Sequence, residues 1–205
     1  SADGSSITQV SSDRHDAIQG KYNSFVQADS DTYVLAYSGS GNDGFIKTFT
    51  IPADGSSITQ VIKLEHDNQY AVYNSLIHVY SNIYVLAYSG TDSDGYIKTF
   101  TISADGSSIT QVQSLEHDTG QSDETSFLQM STANFALAYQ GSDGDGYISA
   151  FTISADGATI TKISTLEYEK DRGHYNSLVK VDNDTYALAY SSDDGGPDGW
   201  LKSFT

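Results

Sequence analysis

Across residues 71–116 the alternation of apolar and polar side chains predicts four short strands and no helix. Residues 73–79 (YNSLIHV) are rich in β-formers and are followed by a Tyr80-Ser81-Asn82 turn. Residues 83–89 (IYVLAYS) are almost continuously apolar, the pattern of a strand buried on both faces. Residues 95–102 (GYIKTFTI) alternate, with Tyr96, Lys98, Phe100 and Ile102 on one face. Ala104-Asp105-Gly106 supplies the positive φ of a tight turn into a more polar strand, 109–116 (ITQVQSLE). No window sustains the 3.6-residue period of a helix.

The pattern recurs. ADGSSITQV stands at 2–10, 53–61 and 104–112, and ADGATITKI starts at 155, so the starts lie 51 residues apart. YVLAYSG at 33–39 and 84–90 returns as FALAYQG at 135–141 and YALAYSS at 186–192. GFIKTFT at 44–50 returns as GYIKTFT at 95–101, GYISAFT at 146–152 and GWLKSFT at 199–205.

Four strands in a unit of this length mark a propeller blade. The expected fold is all-β: a four-bladed β-propeller with four antiparallel strands per blade, in one domain spanning 1–205. Blades are expected at about 22–65, 73–116, 124–167 and 175–205, the last completed by the N-terminal strand 7–13, which closes the ring and removes its exposed edges. Two rival arrangements are half of an eight-bladed ring made by two chains, and a segment of a longer array. The repeat resembles those of acidic, extracellular propeller proteins of microbes. It lacks the Gly-His and Trp-Asp pairs of WD40 blades and departs from the Asp-box pattern, so no functional residue carries over. In blade count it resembles hemopexin-like domains, without their terminal cysteines.

Charge narrows the partners. With 10 basic against 27 acidic residues the formal charge is −17, which disfavours nucleic acid and anionic membranes. There is no cysteine, and no apolar run approaches the roughly 20 residues of a membrane span. The chain starts at Ser1 rather than Met, as expected of a processed or excised piece. The expected setting is extracellular or at the cell surface, and the expected assembly is a monomer.

Candidate chemistry falls in repeated places. Gly-rich acidic loops between the second and third strands carry Asp43, Asp92, Asp94, Asp143, Asp145, Asp194 and Asp198. Clustered carboxylates and carbonyls on a turning backbone are what Ca²⁺ requires; Asp-Gly is also good turn chemistry in its own right. The innermost strands begin with Tyr22-Asn23-Ser24, Tyr73-Asn74-Ser75, Glu124-Thr125-Ser126 and Tyr175-Asn176-Ser177. They are expected to ring the mouth of the central channel, where polar groups can hold water, an ion or a sugar hydroxyl. His15, His66 and His117 each precede an aspartate and read as surface histidines paired with that carboxylate. Trp200, the one tryptophan, stands where the other blades have Phe45, Tyr96 and Tyr147 and reads as structural.

No Gly-x-Ser-x-Gly elbow, phosphate loop or His-Glu-x-x-His occurs, and no catalytic residue is assigned. The expected function is a binding or structural module whose ligand is a cation, a glycan or another protein. The rivals are a polysaccharide-acting hydrolase and a passive spacer within a larger surface protein.

Overall fold

The computed structural model describes residues 5–193, 196 and 198–205. Its strands form antiparallel sheets in chain order. The first sheet is β1 (Lys21–Gln27), β2 (Thr32–Ser38), β3 (Gly44–Thr50) and β4 (Thr59–Asp67). The second is β5 (Val72–Tyr80), β6 (Ile83–Ser89), β7 (Asp94–Ile102) and β8 (Ile109–Gln121). The third is β9 (Asp123–Gln129), β10 (Asn134–Gln140), β11 (Gly146–Ile153) and β12 (Ile160–Glu169). The fourth has three strands, β13 (His174–Lys180), β14 (Tyr186–Ser192) and β15 (Asp198–Phe204). This is the expected all-β, four-bladed propeller. Among the described residues no helix is long and apolar enough to cross a membrane.

Each seam sets a small face against a large one. Val34, Ala36 and Ile46 of blade one pack on Leu76, Tyr84, Leu86, Tyr88 and Phe100 of blade two. Val85, Ala87 and Ile97 meet Phe127, Phe135, Leu137, Tyr139 and Phe151 in the same way. Large aromatics fitted against small β-branched or Ala positions bury much area without voids.

Polar bonds repeat on the same period. The last residues of each outer strand cross to the following blade, where a buried tyrosine donates to their carboxylate: Tyr88 to Asp67 (2.8 Å), Tyr139 to Asp118 (2.8 Å) and Tyr190 to Glu169 (2.6 Å). A lysine of the following blade caps the adjacent carbonyl, Lys98 that of His66 (2.6 Å) and Lys202 that of Tyr168. Blade three has Ser149 at this place, and Lys162 of β12 reaches the His117 carbonyl instead, at 3.0 Å.

The N-terminal segment departs from expectation. Residues 7–13 form no strand and do not pair with β15. They lead into blade one: Tyr37 donates to Asp16 (2.9 Å), Lys47 to the His15 carbonyl, and Ser11 to the Gly55 carbonyl (2.7 Å). The reason is visible in the seams. Every outer strand is anchored through its last residues to the blade that follows it, so 7–16 holds the place of an outer strand preceding blade one. It could complete β15 only if blade four lay against blade one. It does not: Phe25 is 52% exposed, whereas its counterparts Leu76, Phe127 and Leu178 are 3%, 6% and 7% exposed.

The histidines depart too. His66 and His117 are buried rather than on the surface. Each ring lies edge-on to two aromatics, His66 to Tyr88 and Phe100, His117 to Tyr139 and Phe151. Trp200 is half exposed on the uncovered edge strand.

Candidate functional site

The acidic loops are turns first. Their central residues Gly41, Asp92 and Asp143 all take left-handed backbone, with φ of 76°, 59° and 61°. Aspartate is among the few side chains that tolerate that region. The carbonyls of Asp43, Asp94 and Asp145 each close their loop by accepting from Gly39, Gly90 and Gly141. The loop carbonyls at Asn42, Ser93 and Gly144 accept from the entering backbone of the next blade, at Ala71, Ser122 and Gly173. Asp194 lies outside the described residues, and Asp198 opens β15, exposed. Among the described residues no three His, Asp or Glu side chains gather into a metal-binding group.

The innermost strands converge. Tyr22, Asn23, Tyr73, Asn74, Glu124, Thr125, Tyr175 and Asn176 line one open cavity of about 280 Å³. At the head of each strand the tyrosine or glutamate sits in left-handed backbone: Tyr22 (φ 51°), Tyr73 (54°), Glu124 (52°) and Tyr175 (55°). All four bends coincide with an irregular register, in β1, β5, β9 and β13. A bulky side chain pays about 1–2 kcal/mol to stand there, and strain of this kind collects at ligand sites. Tyr22 and Tyr73 rings meet at 4.7 Å, and Tyr175 is 76% exposed. Glu124 accepts from the Tyr175 amide and lies 3.4 Å from His174 Nδ1. Burial, with Tyr22, Asp123 and Glu124 nearby, pushes the Tyr73 phenol up to about 12, so it stays a neutral donor.

The serines of these strands work elsewhere. Ser24, Ser75 and Ser126 Oγ accept from the amides of Leu76 (2.9 Å), Phe127 (3.0 Å) and Leu178 (2.9 Å). They staple one blade to the next rather than face the cavity, and Ser177 is their fourth copy. Asn74 and Asn176 amides and the Thr125 hydroxyl reach the carbonyls of Tyr22, Glu124 and Tyr73 across the same seams.

A larger cavity of about 560 Å³ opens at the seam of blades one and two, over Asp67, Tyr88, Tyr96 and Lys98. Its buried phenol, carboxylate and ammonium already satisfy each other, through the Tyr88–Asp67 bond and the Lys98–His66 carbonyl bond, while the His66 ring nitrogens in its lining have no partner. The axial cavity is the one that presents strained, exposed aromatics.

No family model matches the chain, and comparison with curated protein sequences finds no match. Solved structures share the fold. The NanB sialidase of Streptococcus pneumoniae (K499G mutant) superposes with a TM-score of 0.62 at 11% identity, over 82% of this chain and 27% of the sialidase. An exo-β-1,3-galactanase of Phanerochaete chrysosporium, solved with β-1,3-galactotriose, gives 0.58 at 14%, over 91% and 47%. An α-L-arabinofuranosidase of Podospora anserina, in complex with cellotriose, gives 0.55 at 11%, over 94% and 65%. The chain spans less than two thirds of each of them. At such identity the likeness establishes the propeller fold and nothing finer.

Proposed function

We propose that the protein is a non-catalytic glycan-binding module in an extracellular or cell-surface setting, with the axial cavity as its ligand site. The observation that carries this reading is the set of four left-handed residues, three of them tyrosines, turned onto one open cavity. Tyrosine rings supply flat apolar area with a polar tip for sugar faces and hydroxyls, while the Asn23, Asn74 and Asn176 amides are committed to backbone carbonyls and hold the strand heads in place. A hydrolase of the usual kind needs two carboxylates, about 5–10 Å apart. The cavity lining holds one, Glu124, and that one is engaged by the Tyr175 amide. The formal charge of −17 favours neutral over sialylated ligands. The likeness to glycan-processing propellers agrees with the reading at the level of fold.

Isothermal titration with β-1,3-galactotriose and cellotriose tests it. The expected Kd for the better of the two is about 0.1–1 mM, or roughly 4–5.5 kcal/mol of binding. Tyr175→Gly is expected to weaken binding tenfold or more. Because Tyr175 is exposed and its φ is 55°, the same change should leave stability unaltered or raise it by about 1 kcal/mol. Binding unaffected by Tyr175→Gly, or no heat with either sugar, would count against the site.

A further inference from the structure

We propose that the seam cavity between blades one and two is a second binding site, separate from the axial one, for a primary alkylammonium that lies on the Tyr96 ring where blade one keeps its own Lys63. In blade one the Lys63 ammonium stands over the Phe45 ring, 4.3 Å from its centroid. One period on, Phe45 becomes Tyr96 and Lys63 becomes Ser114. The strand that carries Ser114, β8, has no basic residue to put in that place. What stands there instead is the cavity of about 560 Å³, with Tyr96, Ser114, Lys98, Glu65, His66 and Asp67 in its lining.

Blade one also shows that two ammonium groups can share this place. Its Lys47 holds the position of Lys98: each stands 5.2 Å from the centroid of its own blade's buried tyrosine, Tyr37 or Tyr88. Lys63 is opposite Lys47 in the sheet as Ser114 is opposite Lys98. Lys98 lies 3.4 Å from the Asp67 carboxylate, so its charge is matched before a ligand arrives. Blade three closes the same space from within, because the Ser149 and Thr165 hydroxyls bond each other at 2.8 Å.

The walls favour a cation. Burial pushes the Tyr96 phenol up, and so do the carboxylates of Glu116, Asp94, Asp67 and Asp92 around it. Glu65 adds another from the preceding blade. An ammonium over the ring is drawn by the aromatic quadrupole, and its alkyl stem covers the ring's apolar area as a lysine stem does. The wall also holds His66, 8% exposed, with neither ring nitrogen partnered. Burial keeps that ring neutral, at about 3, so it adds an acceptor to the wall and no positive charge.

Isothermal titration at low salt with spermidine and with Nα-acetyl-lysine methylamide tests the site. At least one is expected to bind, and the tighter of the two says whether the natural source is a polyamine or a lysine side chain. The Nα,Nε-diacetyl-lysine methylamide, which keeps the stem and loses the charge, should not bind. Ser114→Lys rebuilds the blade-one arrangement and fills the site from within, so it is expected to weaken binding by about tenfold or more. Thr110→Lys makes the same charge change at an exposed position on the same strand and should alter affinity by no more than about twofold. Tyr96→Phe, which installs the ring that blade one uses, should retain binding. Equal weakening by the two lysine variants would mean adventitious attraction of amines to an acidic surface and would overturn the proposal. So would unaltered binding in Ser114→Lys, or no heat with either amine.

Discussion

Gly173→Ala is expected to cost more than about 3 kcal/mol, enough to lower Tm by several degrees at least or to prevent folding. A methyl group at residue 173 would stand 2.4 Å from the Gly146 Cα and 2.6 Å from the Tyr168 hydroxyl. The first obstacle is backbone, which cannot step aside as a flexible side chain would. The site is where an outer-strand residue fills the slot under the next blade. In blade four the slot holds Tyr168 with Gly173 above it. In the two preceding seams it holds His66 under Ala71 and His117 under Ser122, where the smaller ring leaves space for a Cβ. The pairing predicts a compensated exchange. His66→Tyr alone should lose about 1–3 kcal/mol through overpacking against Ala71. His66→Tyr with Ala71→Gly should recover most of it, because the new hydroxyl can bond Asn74 Oδ1, a buried acceptor with no partner, as Tyr168 bonds Asn176. Thermal melts of the single and double variants decide the matter. Additive losses would refute the slot.

Acid is expected to unfold the protein in a window set by the same two histidines. Burial first, then the positive charge of Lys98, holds His66 at about 3, against the opposing pull of Asp67. Burial and Lys162 hold His117 at about 4, against Asp118. Both lie below the ordinary 6.5. Below that value the unfolded chain takes up protons that the folded chain refuses. The stabilisation is therefore complete above pH 6.5 and drains away as pH falls towards 4, by roughly 5 kcal/mol for the pair. Asp67 adds to the loss lower down. Burial raises its pKa, but its bonds from Tyr88 and the Gln69 amide, with Lys98 nearby, bring it below the usual carboxylate value. His66→Phe with His117→Phe should flatten the slope of Tm between pH 6.5 and 4. It should also add about 1–3 kcal/mol at pH 7, since both ring nitrogens of His66 are buried without a partner. An unchanged slope in the double variant would show that other groups govern the acid limb.

These histidines show where the sequence was readable and where it was not. The strands β2, β3, β6 and β7 could be read from LAY and IKTFT because apolar runs and strict alternation are local signals. The turn role of Asp92 and Asp143 was readable for the same reason. His66 and His117 read as surface groups because they end polar strands. Their burial comes from the next blade, a contact between segments that alternation does not encode. Residues 7–13 read as a strand because their first four, ITQV, copy 58–61. What they lack is a neighbouring edge, and whether an edge is in reach depends on blade pitch. The left-handed residues Tyr22, Tyr73, Glu124 and Tyr175 gave the least warning, since bulky side chains seldom take positive φ. Their recurrence in every blade at the same point was the available sign. Ser24, Ser75 and Ser126 were correctly placed on the innermost strands, but their hydroxyls turn to the next blade's amides instead of the channel.

A ¹⁵N-resolved NMR titration with β-1,3-galactotriose or cellotriose locates the ligand residue by residue. Amide shifts concentrated at 22–23, 73–74, 124–125 and 175–176 are the predicted result. Shifts confined to the acidic loops at 40–44, 91–95 and 142–146, or to the seam around Asp67 and Lys98, would contradict the axial site.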